Sequence, residues 1–228
     1  MNVSDNIRRV REIVAEATHR SGRSPADIRL MAVTKTVANS RIAEAVRAGA
    51  DIIGENYVQE AKRKQETLGK TGEWHLIGRL QTNKAKYAVR LFDVIQSVDR
   101  LEIAAEIDRR ARAAGLVMKI LIEVNVAGEE TKSGVPIADT VDLVRAIAPF
   151  ENLSIQGLMT MPPWFDDPQN ARPFFRALRE LRDRIGAGGI PRVEMKELSM
   201  GMTGDYPVAV EEGATIVRIG RGIFGQRP

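Results

Sequence analysis

The chain contains no cysteine. Disulfides, thiolate metal sites and thiol nucleophiles are excluded together. Histidine is scarce as well. His19 and His75 are the only two, too few for an imidazole-built metal centre. Aromatic residues make up 5% of the chain, leaving little from which to build the stacking platforms of a single-strand nucleic-acid binder. Long runs of one charge are missing too: acidic and basic residues are interspersed, as in Glu180-Leu181-Arg182-Asp183-Arg184. The net charge of +4 is therefore dispersed, and no nucleic-acid partner is expected. No stretch could span a bilayer, and residues 1–20 are charged and amphipathic, without the apolar centre of a signal peptide. A cytoplasmic protein with no membrane contact is expected.

What is present is a rhythm. Short apolar runs at Leu30–Thr34, Asp51–Gly54, Trp74–Ile77, Val94–Ser97, Met118–Asn125, Leu153–Met159, Glu197–Ser199 and Thr215–Ile219 alternate with helix-period segments. Continuous apolar runs suit parallel strands buried on both faces. Ile137, Val141, Val144 and Ala148 keep helical spacing, as do Ile103, Ile107, Ala111 and Ala114. Gly49, Gly115 and Gly213 stand where left-handed helix caps belong. Eight strands in 228 residues predict a single α/β domain over residues 1–228, a (β/α)8 TIM barrel. Ile7, Val10, Ile13, Val14 and Ala17 form the apolar stripe of an extra N-terminal helix. That helix is expected to cover the place left where only Gly220–Pro228 follows the last strand.

Barrel chemistry sits at the C-terminal ends of the strands. Lys35 follows the first apolar run. It is a candidate amine nucleophile, because desolvation disfavours an ammonium; alone, it reads more readily as a surface lysine after a strand. Gly54-Glu55-Asn56-Tyr57 follows the second run. Asn56 there, and Thr82 or Asn83 after the third, also stand where helix N-caps belong. His75 is equally readable as a core histidine or a ligand contact. Ser199-Met200-Gly201-Met202-Thr203-Gly204 and Gly220-Arg221-Gly222-Ile223-Phe224-Gly225 follow the last two runs, where barrels commonly bind phosphate. The second spells G-x-G-x-x-G, but no helix, further strand and acidic residue follow it, so the dinucleotide reading fails. Arg218, between Val217 and Ile219, is a charge inside a buried strand. It needs a partner, either a carboxylate such as Glu123 or Glu197, or a ligand.

Seven blocks in order resemble one family: Ala32-Val33-Thr34-Lys35-Thr36, Gly54-Glu55-Asn56-Tyr57-Val58-Gln59-Glu60, Trp74 through Lys84, Lys132-Ser133-Gly134, Gly157-Leu158-Met159, Leu198 through Met202, and Val217-Arg218-Ile219-Gly220. Together they are similar to the YggS/PROSC family, the pyridoxal phosphate homeostasis proteins, over nearly the whole chain. The resemblance implies an alanine-racemase-like, fold-type III barrel with pyridoxal 5′-phosphate as a Schiff base on Lys35. It implies phosphate contacts at Ser199, Gly201 and Gly220, Arg218 facing the pyridine nitrogen, and Asn56 near the ring. Arg221 departs from the family pattern, standing where a small hydroxyl residue is usual. Thr203-Gly204-Asp205-Tyr206-Pro207 departs modestly.

Three functions follow as expectations: a monomeric carrier or buffer that delivers the cofactor to apo-enzymes, a weak pyridoxal-phosphate enzyme such as an amino-acid racemase, and a sugar-phosphate aldolase using Lys35. The carrier is preferred. An arginine at the ring nitrogen would favour the unprotonated ring and weaken carbanion stabilisation. The racemases that share this barrel add a second domain and a base supplied across a dimer. Here the sequence stops soon after the eighth strand, with only Tyr57, Tyr87 and Tyr206 as tyrosines.

Overall fold

A computed structural model describes residues 2–129 and 132–226. Eight parallel strands form a closed ring: β1 (Arg29–Val33), β2 (Ile52–Glu55), β3 (Glu73–Leu76), β4 (Val94–Val98), β5 (Met118–Asn125), β7 (Leu153–Met159), β8 (Val193–Ser199) and β9 (Ile216–Ile219). The β4–β5 pairing completes the circuit. A two-residue strand, β6 (Val135–Pro136), pairs with the end of β5 outside the ring. The first and last ring strands are neighbours, with Met31 opposite Arg218.

Side chains of a strand alternate between its faces. Leu30, Ala32, Ile53, Trp74, Ile95, Ile120, Ile122 and Val217 join the large apolar cluster shared with the surrounding helices. The other face meets a smaller interior. Its apolar part is Met31, Val33, Ile52 and Ile216 on one side and Val94, Leu121 and Met159 on another. Buried polar residues complete it: His75, Gln96, Glu123, Ser199 and Arg218. Gly157 is required by close approach, since a Cβ there would lie 1.9 Å from the carbonyl oxygen of Glu197 on the adjacent strand.

The outer layer is α2 (Asn39–Arg47), α3 (Val58–Leu68), α4 (Ala85–Leu91), α5 (Leu101–Ala114), α6 (Thr140–Ile147), α7 (Arg172–Ala187), α8 (Tyr206–Glu211) and the short α9 (Arg221–Phe224). Gly49, Gly115 and Gly213 take φ of 100°, 67° and 103° just beyond α2, α5 and α8, the positions expected from the sequence. The strands also fall where the apolar runs placed them, except that β8 begins at Val193. Its first residues read Val-Glu-Met-Lys-Glu, with Glu194 and Lys196 exposed, so no continuous apolar run marks them.

The N-terminal helix α1 (Val3–Arg20) takes its expected place. Asn2 caps it, its side chain accepting from the Asp5 N–H at 2.8 Å. It buries Val3, Ile7, Val10, Val14 and Ala17. Asn6 Nδ2 donates to the Ile223 carbonyl at 2.8 Å, and Arg20 pairs with Glu211 at 2.7 Å. The helix thus lies against α8 and α9 beside the seam between β1 and β9. Truncating Ile7, 1% exposed, to alanine is expected to cost about 3 kcal/mol in urea unfolding. Deleting residues 1–20 should destabilise further, and unchanged stability after the deletion would show the helix to be an ornament.

Candidate functional site

At the C-terminal mouth of the barrel lies a cavity of about 680 Å³. Among the described residues, four cationic ones reach its wall: Lys35, Arg79, Arg218 and Arg221. Two acidic ones do among the described residues, Glu123 and Asp205. Asn56, Ser133, Gly204 and Gly220 line it too, and Met161, Trp164 and Phe165 form an apolar rim. Trp164 is 72% exposed. Of the residues singled out from the sequence, Lys35, Asn56, Arg218 and Gly220 share this wall. Ser199 and Gly201 are not on it.

Lys35 stands just past β1, and its backbone is bracketed. On one side Lys64 Nζ, from α3, donates to the Thr34 carbonyl at 2.7 Å. On the other the Thr36 N–H donates to Glu60 Oε1 at 2.6 Å. Lys64 also pairs with Glu60 at 2.7 Å and with Glu55, at the end of β2, at 2.6 Å, while Thr34 Oγ1 donates to the same Glu55 oxygen at 2.5 Å. Burial pushes the Glu55 carboxyl up, against the pull of Lys64 and Thr34. Burial raises Glu60 too, but Lys64 and the Thr36 N–H outweigh it and hold that carboxyl below its usual value. Thr36 takes φ of 62°, an unfavourable conformation for a β-branched residue. The chain end that presents Lys35 is held in a conformation it would not choose alone.

Asn56 does not cap a helix. The residue at the N-cap of α3 is Tyr57, and Asn56 Oδ1 is buried without a hydrogen-bond partner. Such an atom is costly unless something else satisfies it. Thr82 and Asn83 do not cap either: they open a 3-10 turn whose N-cap is Gln81.

Arg218 is 3% exposed. Nη1 donates to Ser199 Oγ at 2.9 Å and Nη2 to the Thr160 carbonyl at 2.7 Å. Of the two partners the sequence left open, a direct salt bridge with Glu123 or Glu197 is not what satisfies it. Burial lowers its pKa to about 10, opposed by the charges of Asp205 and Glu123, so the guanidinium stays cationic at neutral pH. Glu197 pairs with Arg29 at 2.8 Å at the other end of the barrel.

Ser199 is fully buried, and its hydroxyl serves Arg218 and Gln96 instead of the cavity. Gly201 is used by the backbone. Its φ is 89°, a Cβ would come within 2.6 Å of Ala209 Cβ, and its carbonyl accepts from the Arg218 N–H at 2.9 Å. It shapes the turn after β8. That turn meets the one after β9 where the Gly222 N–H donates to Thr203 Oγ1 at 3.2 Å.

Glu123 was not singled out as a site residue by the sequence. It lies on β5 two residues beyond Leu121, whose inward face it shares. Burial, then the charge of Asp99, pushes its carboxyl to about 7, with Arg218 and Arg79 opposing. Two-residue spacing within Ile-Leu-Ile-Glu-Val was the available signal.

The family described as alanine racemase, N-terminal domain, matches residues 2–228. A pyridoxal phosphate homeostasis protein of Aquifex aeolicus is 45% identical over 228 residues, covering 100% of this chain and 99% of the relative. This chain belongs to the pyridoxal phosphate homeostasis protein family. Among solved members of similar fold, an unknown protein from Bifidobacterium adolescentis superposes with a TM-score of 0.93 at 39% identity, covering 97% of this chain and 94% of that one. PipY of Synechococcus elongatus PCC7942, solved with PLP bound, gives a TM-score of 0.82 at 35% identity, covering 93% of this chain and 100% of that one.

Two outcomes test the electrostatics. Lys64→Met strands two carboxylates, one of them fully buried, and should cost roughly 3 kcal/mol or more in chemical unfolding; wild-type stability would show the bracket to be idle. For Glu123, a folded pKa above the unfolded value means that the native state holds the extra proton between the two. Its contribution therefore falls as pH rises from the usual carboxylate range through about 7. Glu123→Gln should gain stability over the wild type at about pH 8 relative to about pH 5; an equal difference at both would refute the shift.

Proposed function

We propose that residues 1–228 form one cofactor-binding barrel domain that holds pyridoxal 5′-phosphate at its mouth, as a Schiff base on Lys35, and acts in intracellular cofactor homeostasis as a carrier or buffer without strong turnover. The observation that carries the reading is the convergence on one cavity wall of Lys35, the buried Arg218 and the partnerless Asn56 Oδ1. The fit extends to charge: among the described residues, four cationic ones against two acidic ones suit a ligand with a dianionic phosphate. The name carried by the Aquifex aeolicus relative and the PLP bound in PipY point the same way.

When bound, the cofactor supplies an aldehyde for reversible exchange with amines and a ring that can accept electrons. Lys35 supplies the amine: one C=N bond forms, and the aldehyde oxygen leaves as water with the two amine protons. Arg218, a donor only, faces the pyridine nitrogen and favours its unprotonated state. Asn56 lies beside the ring. Gly220 and the turn shaped by Gly201 take the phosphate with their backbone, and Arg221 adds a guanidinium there. Ser199 contributes from behind by holding Arg218.

A carrier needs reversible amine exchange and no committed proton transfer. None of the three tyrosines lines the cavity, and burial pushes Tyr206 up to about 12. Among the described residues no helix is long and apolar enough to cross a membrane. We place the chain in the cytoplasm as a monomer, with apo-enzymes of the same cofactor as recipients. A second reading, a weak amino-acid racemase or related enzyme, is favoured by one observation. The carboxyl of Glu123 has its pKa near 7 within the same cavity, where an acid–base group works best.

Borohydride reduction of the protein loaded with pyridoxal phosphate should fix the cofactor mass on Lys35. Lys35→Ala should lose that adduct and the imine absorption band while retaining weaker binding. Unchanged affinity and spectrum in Lys35→Ala would refute the assignment. Rapid exchange of α-deuterium in added amino acids, abolished by Glu123→Gln, would replace the carrier with the enzyme.

A further inference from the structure

A chain of hydrogen bonds crosses the barrel interior. Arg218 Nη1, on β9, reaches Ser199 Oγ, on β8, at 2.9 Å. Ser199 Oγ reaches Gln96 Oε1, on β4, at 2.7 Å. Gln96 Nε2 reaches His75 Nδ1, on β3, at 2.7 Å. His75 Nε2 reaches Glu73 Oε1 at 2.8 Å. Glu73 opens β3 at the N-terminal end of the barrel, where Arg29 ties it to Glu197 at 2.9 and 2.8 Å. Arg218 lines the cavity at the other end. His75, Gln96 and Ser199 are each at most 1% exposed. The Ser199–Gln96 link joins strands that are not neighbours in the ring, so it spans the interior.

The chemistry of the two ends dictates the direction of every link. A guanidinium only donates, so Ser199 Oγ accepts and its own hydrogen is left to give. Gln96 Oε1 takes that hydrogen, which orients the amide and makes Nε2 the donor to His75. Nδ1 must then be bare, the single imidazole proton sits on Nε2, and it goes to a carboxylate that only accepts. Burial keeps His75 neutral against the pull of Glu73, as this direction needs. No link can reverse alone without setting two hydrogens, or two lone pairs, against each other.

We propose that Ser199, Gln96 and His75 are positioning residues, a one-way relay that aims the Arg218 guanidinium at the cofactor ring and anchors it to Glu73 at the far end of the barrel. A barrel interior filled with apolar side chains needs no such seam, and buried polar groups are costly unless all are satisfied. This seam ends on a cavity-lining cation. The Thr160 carbonyl holds the second nitrogen of the same guanidinium, so two fixed acceptors set its plane. The proposal rests on Arg218 facing the ring nitrogen.

The test uses pyridoxal phosphate labelled with 15N in its ring. Gln96→Met keeps the length of the side chain and removes both links. It should shift the ring-nitrogen resonance and the long-wavelength absorption band, and weaken cofactor affinity about tenfold. Arg218→Met is the reference. A shift with Arg218→Met but none with Gln96→Met overturns the relay alone. No shift with either shows that Arg218 does not face the ring nitrogen, and the relay's role falls with that placement. A measurement on the unmutated protein stands apart from folding of the variants: 15N-histidine spectra should show His75 protonated on Nε2 and bare on Nδ1. The opposite tautomer overturns the relay.

Discussion

A guanidinium that projects into a barrel and is 3% exposed has little access to water, and Arg218 sets the terms for what surrounds it. Its charge must be answered within a few ångströms. Ser199 Oγ and the Thr160 carbonyl do so by contact, and Glu123 and Asp205 by their charge. Satisfying the serine in turn brings Gln96 inward from β4 and His75 from β3. One buried cation thereby organises polar groups on four other strands, β3, β4, β5 and β8, and leaves the interior only partly apolar. The apolar work of the fold moves outward, to the layer between the strands and the helices.

Lys35 depends on a different set of contacts. Thr34, Glu55, Glu60 and Lys64 belong to β1, β2 and α3 and their connections, and they share no hydrogen bond with the seam that holds Arg218. Energetic coupling is strong within a network and weak between separate ones. The loop that presents Lys35 and the guanidinium of Arg218 thus rest on separate side-chain networks, and a change in the Lys64 bracket need not disturb the seam. This arrangement suits a site whose ligand must come and go while its frame stays fixed.

The barrel was legible because buried parallel strands write apolar runs, and seven of the eight ring strands carry enough of one to be placed within one residue of their bounds. The eighth, Val193–Ser199, was read only from Glu197 onward because its outer end carries Glu194 and Lys196 in water. Lys35, Asn56 and Gly220 were legible as strand-end residues, since strand ends define the mouth, and Arg218 as a charge inside a buried strand that needs a partner. Ser199 was placed correctly along the chain, yet its side chain serves Arg218. Which acceptor a guanidinium takes is decided by strands that meet only after closure, and Ser199 and Gln96 are 103 positions apart. The bracket around Lys35 was hidden for another reason. Glu55, Glu60 and Lys64 look like an ordinary solvated helix start, and only the fold shows that Lys64 turns inward.

Met31 opposite Arg218 places the first ring strand beside the last, and α1 rests on α8 and α9 across the same seam. During synthesis the ribosome releases the Lys35 segment early, while the strand bearing Arg218 comes nearly two hundred residues later. Closing a loop of that length is slow compared with forming local structure. A nascent chain therefore has Lys35 but no closed mouth, and the cavity that Lys35 shares with Arg218 forms only when translation has delivered both edges of the seam.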